Sequence, residues 1–424
     1  MEADDRSSED RICDSQGKHE YFEIQNEDIQ ESNEGRMGSI QTFFTLLKGF
    51  LVISILFMPN GYSNGGWMFA TAALVGSMLI TLTCGLLLIQ VASKYKGTFS
   101  DLGFLAMGNK GRYICDFVLA VSQTGFVTPY VVFISQNLNK IIDYHFGFTV
   151  NTWIMGLILF FIDTPLCWVR KIQTLERYHF LGDLTVFSAG IILISEAISF
   201  RNDQGSFAED IEPFNSDKYL VFLGTAIFIF EGVGIILPVR EACKNKHHFP
   251  AIFTCVILFL CCFFASFGFF NYAVYGEELL SNAPLVTKVL REGNLVVEVV
   301  MILFIINVVL SYPLIIYPCN IIIESYSVDK MAPSKTRTFL RNLSRALVVV
   351  VTFSIGISLE DTLDRLLSVE GSLTCTPVAF IMPAVFHLQL VAESRLAKAL
   401  DYFIIGLGFV FLFGLTSYTI ISWS

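Results

Sequence analysis

Charge is scarce along this chain. Aspartate, glutamate, lysine and arginine make up 16% of its 424 residues. A soluble protein carries roughly 25%, so a solvated surface in proportion to this length is excluded. Long polar connections are scarce too, and none is long enough to hold a folded soluble domain. Any activity must therefore reside among the apolar runs. Histidine occurs six times and no CxxC pair is present. His247 and His248 follow Cys243 at a spacing no usual zinc site has, and we read them as a solvated turn. Most cysteines lie inside apolar runs and read as small core residues rather than disulfides or metal ligands. No His/Asp/Glu group has catalytic spacing, which argues against an enzyme. No charged ring or pore-loop pattern argues for a channel. No metal, cofactor or nucleic acid partner is expected.

What the chain has in abundance is apolarity. Hydrophobic residues make up 54% of it, and phenylalanine alone occurs 40 times. That composition, with repeated long apolar runs, reads as an all-α polytopic membrane protein. The net charge of −10 is concentrated at one end, because residues 1–36 hold twelve acids and four bases. Such a segment is too polar to bury a core and reads as disordered. It also has no apolar stretch that would serve as a cleaved signal peptide. We expect a disordered acidic cytosolic tail over 1–38 and a transmembrane domain over 39–424.

Eleven spans are expected, near 40–59, 67–91, 112–142, 150–168, 178–199, 217–239, 250–275, 295–320, 339–358, 365–390 and 399–422. The third is longer than a bilayer needs and should tilt or project. With the N-terminus inside, seventeen lysines and arginines fall in cytosolic loops against six on the opposite face. That bias predicts a cytosolic N-terminus. The loop 200–216 on the far face carries Asp203, Glu209, Asp210 and Glu212, a charge we ascribe to solvation.

The sixth span is the most informative. Leu223 to Glu241 reads LGTAIFIFEGVGIILPVRE. It carries Glu231 near its middle, with Gly232, Gly234 and Pro238 following. A carboxylate at that depth is costly unless paired, wetted or neutralised. Irregular backbone beside it is tolerated only around a cavity. The first span, from Thr45 to Trp67, contains Gly49, Pro59, Gly61, Gly65 and Gly66. Two interrupted spans five apart point to an inverted repeat with a binding site between them.

These residues carry a family resemblance. Leu46 to Gly49 (LLKG), Leu56 to Pro59 and Asn64 to Trp67 form one block. Phe99 to Arg112 with Ser122 to Leu138, Gly224 to Pro238, and Ser311 to Pro318 form the others. Together they resemble the amino acid/auxin permease family, especially its proton-coupled and vacuolar amino acid transporters. The resemblance covers nearly all of residues 40–420. It implies a LeuT-like fold of two inverted five-span repeats plus one extra helix, with the first and sixth spans broken. It implies symport of amino acids across a vacuolar, lysosomal or plasma membrane, with H⁺ as coupling ion, by a monomer in the lipid bilayer. By position it places Gly49, Ser54, Tyr130, Phe228, Gly232 and Ser311 at the substrate, with Glu231 as the candidate for proton coupling.

Physical chemistry agrees with that placement. Free N–H groups at an interrupted helix suit the carboxylate of an amino acid. A side-chain acceptor such as Glu231 suits its ammonium, or a coupling proton. Three departures from the family pattern stand out. The family's first-span run KGxxGTGxLxxP keeps Gly49 here but has Val52 and Ser54 for its later glycines. Proton-coupled animal members have a histidine where this chain has Thr45. No sodium-site pattern is readable, since Ser311 alone is as well explained by a bond within its own helix. A non-transporting amino acid sensor on an endomembrane is the alternative function, mildly favoured by the lost glycines.

Overall fold

The computed structural model describes residues 37–422, except 52, 53, 170, 171, 282, 284, 292 and 329, and except the side chains of 172–181, 183 and 361. Most of the acidic tail, and Val52, lie outside the described residues. The described chain is helical almost throughout. In order the helices are α1 (Ser39–Leu51), α2 (Ser54–Gly65), α3 (Trp67–Lys94), α4 (Phe99–Phe146), α5 (Thr152–Cys167), α6 (Ile172–Gln204), α7 (Tyr219–Ile229), α8 (Val233–Ala242) and α9 (Phe249–Ser281). They continue with α10 (Leu295–Ser327), α11 (Lys335–Ser358), α12 (Leu363–Leu390) and α13 (Arg395–Ile421).

Taking α7 and α8 together, nine described helices are long and apolar enough to cross a bilayer. The count is ten if α1 and α2, inclined at 49°, are one span. The sequence expectation was eleven. The difference is α5, whose 16 residues rise only about 24 Å. The third expected span also starts earlier than its apolar stretch. α4 runs 48 residues from a capping box, in which Thr98 accepts the Asp101 N–H and Asp101 accepts the Thr98 N–H. Gly108 (φ 68°, ψ −157°) kinks it near that end. Polar caps mark other starts: Asn151, Asn294, Ser334 and Ser394 each accept a first-turn N–H and satisfy donors that lipid would not.

Packing follows a pattern of exchanged partners. α2 packs on α9 and α7 on α3; α1 packs on α6 and α7 on α12; α4 packs on α11 and α10 on α5. Each contact has a counterpart one repeat further on, the pairing that an inverted duplication generates. α13 stands aside against α12.

The 205–218 connection is more than a solvated loop. Its backbone runs against the end of α2, where Glu212 and Pro213 carbonyls accept the Trp67 and Met68 N–H groups. Gly66 (φ 75°) makes this approach possible, because a Cβ there would collide with the Phe214 backbone. Asp210 accepts the Glu278 N–H at 2.8 Å, and the Glu212 N–H donates to the Tyr272 hydroxyl at 3.0 Å. The loop thereby closes the acidic face over α2, α7 and α9. At the opposite, basic face, Met37 pairs with the strand-like turn after α8. Its N–H donates to Ala242 and its carbonyl accepts from Lys244, both at 2.9 Å.

Candidate functional site

The end of α1 meets the break between α7 and α8. Phe230, Glu231 and Gly232 separate α7 from α8, with Phe230 at φ −93°, ψ 13° and Gly232 at φ −176°, ψ 14°. The Phe50 ring of α1 lies so close to Gly232 that any Cβ would collide with it, and Ile235 of α8 covers Gly49 in the same way. Side-chain-free positions in one span thus receive side chains from the other. Such a seam cannot be found from either span alone.

A cavity of about 530 Å³ opens from this seam toward the basic face. α1 lines it with Thr45, Lys48 and Gly49, α8 with Val233, Gly234, Ile235, Leu237, Pro238 and Val239, and α10 with Ser311. The turn Lys96–Ser100 lines its mouth. The start of α8 contributes N–H groups that have no partner within the helix. The Val233 N–H is used by the Glu231 carboxylate.

Of the residues expected at the substrate, Gly49 and Ser311 line this cavity. Ser54, Tyr130, Phe228, Glu231 and Gly232 do not, and the first four of these are 2% exposed or less. Phe228 stacks on Phe126 with centroids 5.0 Å apart. Phe50 packs against Gly232, and none of these three rings lines the cavity. Ser54 donates to the Phe50 carbonyl and Ser311 to the Asn307 carbonyl, so each hydroxyl is used by its own helix. The Tyr130 hydroxyl and Glu231 Oε1 are buried without a hydrogen-bond partner among the described residues. Thr45 donates to the Gln41 carbonyl at the mouth.

Several polar groups that sequence reasoning passed over are also here or nearby. Lys48 is 6% exposed and donates to Asn307 at 3.3 Å, tying α1 to α10. Asp163 in α5 is fully buried with neither oxygen bonded among the described residues. Glu370 in α12 is buried as well. All three are ionisable residues inside apolar runs, the same signal that singled out Glu231. His247 and His248 are exposed, as a solvated turn requires. Seven of the nine described cysteines are buried, while Cys255 and Cys262 face outward from α9.

Comparison with known proteins agrees with this architecture. The model of the transmembrane amino acid transporter protein family matches residues 35–421. Vacuolar amino acid transporter 4 of Saccharomyces cerevisiae is 29% identical over 396 residues, covering 85% of this chain and 54% of the relative. Amino acid transporter ANT1 of Arabidopsis thaliana is 27% identical over 402 residues, covering 89% and 90%. The chain spans about half the length of the yeast vacuolar relatives it matches. Among solved structures, the inward-facing conformation of Mhp1 superposes with a TM-score of 0.59 at 12% identity, covering 92% of this chain and 89% of that one. A closed, bromovinylhydantoin-bound form of Mhp1 gives 0.52 at 15% identity, covering 92% of each. The fold is therefore LeuT-like, in a multi-pass integral membrane protein. With its match running through nearly every helix described above, the chain belongs to the transmembrane amino acid transporter family.

Proposed function

We propose that this chain moves amino acids across a membrane by alternating access, driven by protons, and that it performs no enzymatic chemistry. The observation that carries this reading is the seam between the first and sixth spans. A one-sided cavity lies beside the start of α8 there, next to a buried carboxyl that keeps one oxygen without a partner among the described residues and to packed aromatic rings. The N–H groups of that helix start suit a substrate carboxylate. The apolar walls suit a side chain. Opening the Phe126–Phe228 stack would admit substrate to Ser54, Tyr130, Phe228 and Gly232, with Gly49 and Ser311 below. Glu231 then takes up and releases the coupling proton.

In this reading the chain has eleven spans, α1–α2 and α7–α8 each being one broken helix and α5 a short one. The basic face is cytosolic, because it holds the excess of lysine and arginine. The cavity then faces the cytosol, and residues 1–38 form a cytosolic tail ahead of the membrane domain. The names of the yeast relatives favour a vacuolar membrane. A single protomer contains every group invoked.

The test is uptake of a mixed amino acid panel by proteoliposomes, with and without an imposed pH gradient. Saturable uptake that the gradient enhances is expected. The absence of saturable flux for every amino acid would refute the transporter reading, and flux indifferent to the gradient would refute proton coupling. Cysteine labelling at position 335 from the cytosolic side alone is the expected topology result; labelling only from the far side would overturn it.

A further inference from the structure

Glu231 is not alone in its region. Glu370 lies in α12, the helix packed along α7, and it is buried. Its carboxyl rests flat against Gly125 of α4, where any Cβ would collide with it. Thr374 lies one turn on, with its hydroxyl 3.0 Å from Glu370 Oε2 and 2.6 Å from the Glu370 carbonyl. One hydroxyl proton can serve only one of these at a time. The groups facing Glu370 are few. Cys375 lies on its own helix, and its thiol is in the field of both Glu370 and Glu231. α4 presents the Gly125 backbone. α13 presents Thr416, bonded to Ser372, and Thr419, bonded to Ser368. Among the described residues no lysine, arginine or histidine is bonded to Glu370.

The backbone here is irregular. Residues Glu370–Cys375 and Pro377–Ile381 form wide turns within α12. Such turns are rare and are frequent at functional sites. Pro377 supplies no N–H, and the Gly371 carbonyl accepts both the Thr376 N–H and, at 2.9 Å, the Thr376 hydroxyl. At Gly371 the α12 backbone touches the α7 backbone at Gly224, with no room for a Cβ between them. A shift of α7 therefore reaches Glu370 directly.

We propose that Glu370 is a second proton-carrying carboxyl of the transport cycle, acting from the wide turn of α12; the proposal rests on the transporter reading above. A carboxylate without a cation is costly in a dry site, and a bound proton removes that cost. In one state water brings a proton, and an O–H bond forms on a Glu370 oxygen. When α7 moves, Glu370 is wetted from the other side and the O–H bond breaks to water. Nothing is oxidised or reduced. Thr374 is the positioning residue, exchanging its hydrogen bond between the carboxylate and the Glu370 carbonyl as the charge changes.

The test uses purified wild-type protein, Glu370→Gln and Glu370→Asp in proteoliposomes. Equilibrium exchange of amino acid, which needs no net proton movement, is measured beside accumulation driven by a pH gradient. For Glu370→Gln we expect exchange within about threefold of wild type and accumulation lowered about tenfold or more. The proton-to-substrate ratio should fall as well. Infrared difference spectra taken across pH supply a readout independent of transport. One component of the neutral-carboxyl carbonyl band of wild type should be lost in Glu370→Gln and shifted in Glu370→Asp, while the component from Glu231 persists in both. Unchanged accumulation and stoichiometry in Glu370→Gln, or a band indifferent to both substitutions, overturns the proposal. If Glu370→Gln does not fold, the band in Glu370→Asp decides. Wild-type exchange without any gradient-driven accumulation would instead remove proton coupling altogether, and this proposal with it, a result distinct from a coupled wild type matched by its variants.

Discussion

Two buried glutamates in this molecule are held in opposite ways. Glu324, near the basic face, is ringed by cations. Arg345 Nε lies 2.6 Å from one carboxylate oxygen and Arg341 Nε 3.4 Å from the other. Arg345 also donates to the Cys167 and Val169 carbonyls, so the end of α5 is tied to α10 and α11. Glu231 has comparable burial, but one of its oxygens has no partner and the other faces only a backbone N–H. A fully bonded buried ion pair fixes a geometry, and breaking it is expensive. A carboxyl with one open oxygen fixes less, and the proposed cycle uses it where a charge must come and go. Burial alone therefore does not separate a structural acid from a working one; the inventory of partners does.

The comparison can be broken most severely at the basic face. Arg345→Met removes the main partner of Glu324 and should cost about 3–5 kcal/mol of stability, read as a large drop in thermal unfolding temperature in detergent. A variant as stable as wild type would show that the network holds nothing. Next, Gly232→Ala sets a methyl group against the Phe50 ring. Overpacking of this kind costs about 1–3 kcal/mol, and substrate exchange should fall with it because the seam cannot close. An effect on stability without any effect on exchange would remove the seam from the transport path.

Glu231→Gln should behave unlike the arginine variant. With no cation left stranded, stability should change by less than about 1 kcal/mol. Gradient-driven accumulation should nevertheless fall about tenfold while exchange persists. Loss of exchange together with accumulation would assign Glu231 to the substrate ammonium instead. Loss of folding would make it a second Glu324. The smallest effect is expected at Ser54→Ala. Its hydroxyl serves only the Phe50 carbonyl of its own helix, so stability should move by no more than about 0.5 kcal/mol. A large loss of uptake there would show that Ser54 touches substrate after the aromatic layer opens.

Much of the architecture was legible before any coordinates. The apolar runs, the paired interruptions and the glycine-rich turn after the first span are local signals, and α1–α2, α7–α8 and Gly66 follow from them. The span at 150–168 was legible as apolar, and its helix, capped by Asn151 and ending at Cys167, is 16 residues long. The site was legible in part. Gly49 and Ser311 line the cavity, whereas Ser54, Tyr130 and Phe228 are buried away from it. Which of two rings fills a gap depends on helices more than 100 residues apart, such as α4 and α7, and no local pattern encodes it.

Composition and order along the chain were enough to determine a membrane-embedded helical protein with a duplicated plan and an acid at the heart of its sixth span. Those are properties of each segment against lipid, where every backbone group must be satisfied within a helix. Only the tertiary structure decided which buried acids are bonded and which are not. It brought two arginines to Glu324, left Glu231 with a lone backbone donor, and set Glu370 beside Gly125. It also closed the acidic face with the 205–218 loop and left the cavity open on the other. These outcomes are differences among long-range contacts of similar apolar surfaces, and a hydrophobic pattern is blind to such differences.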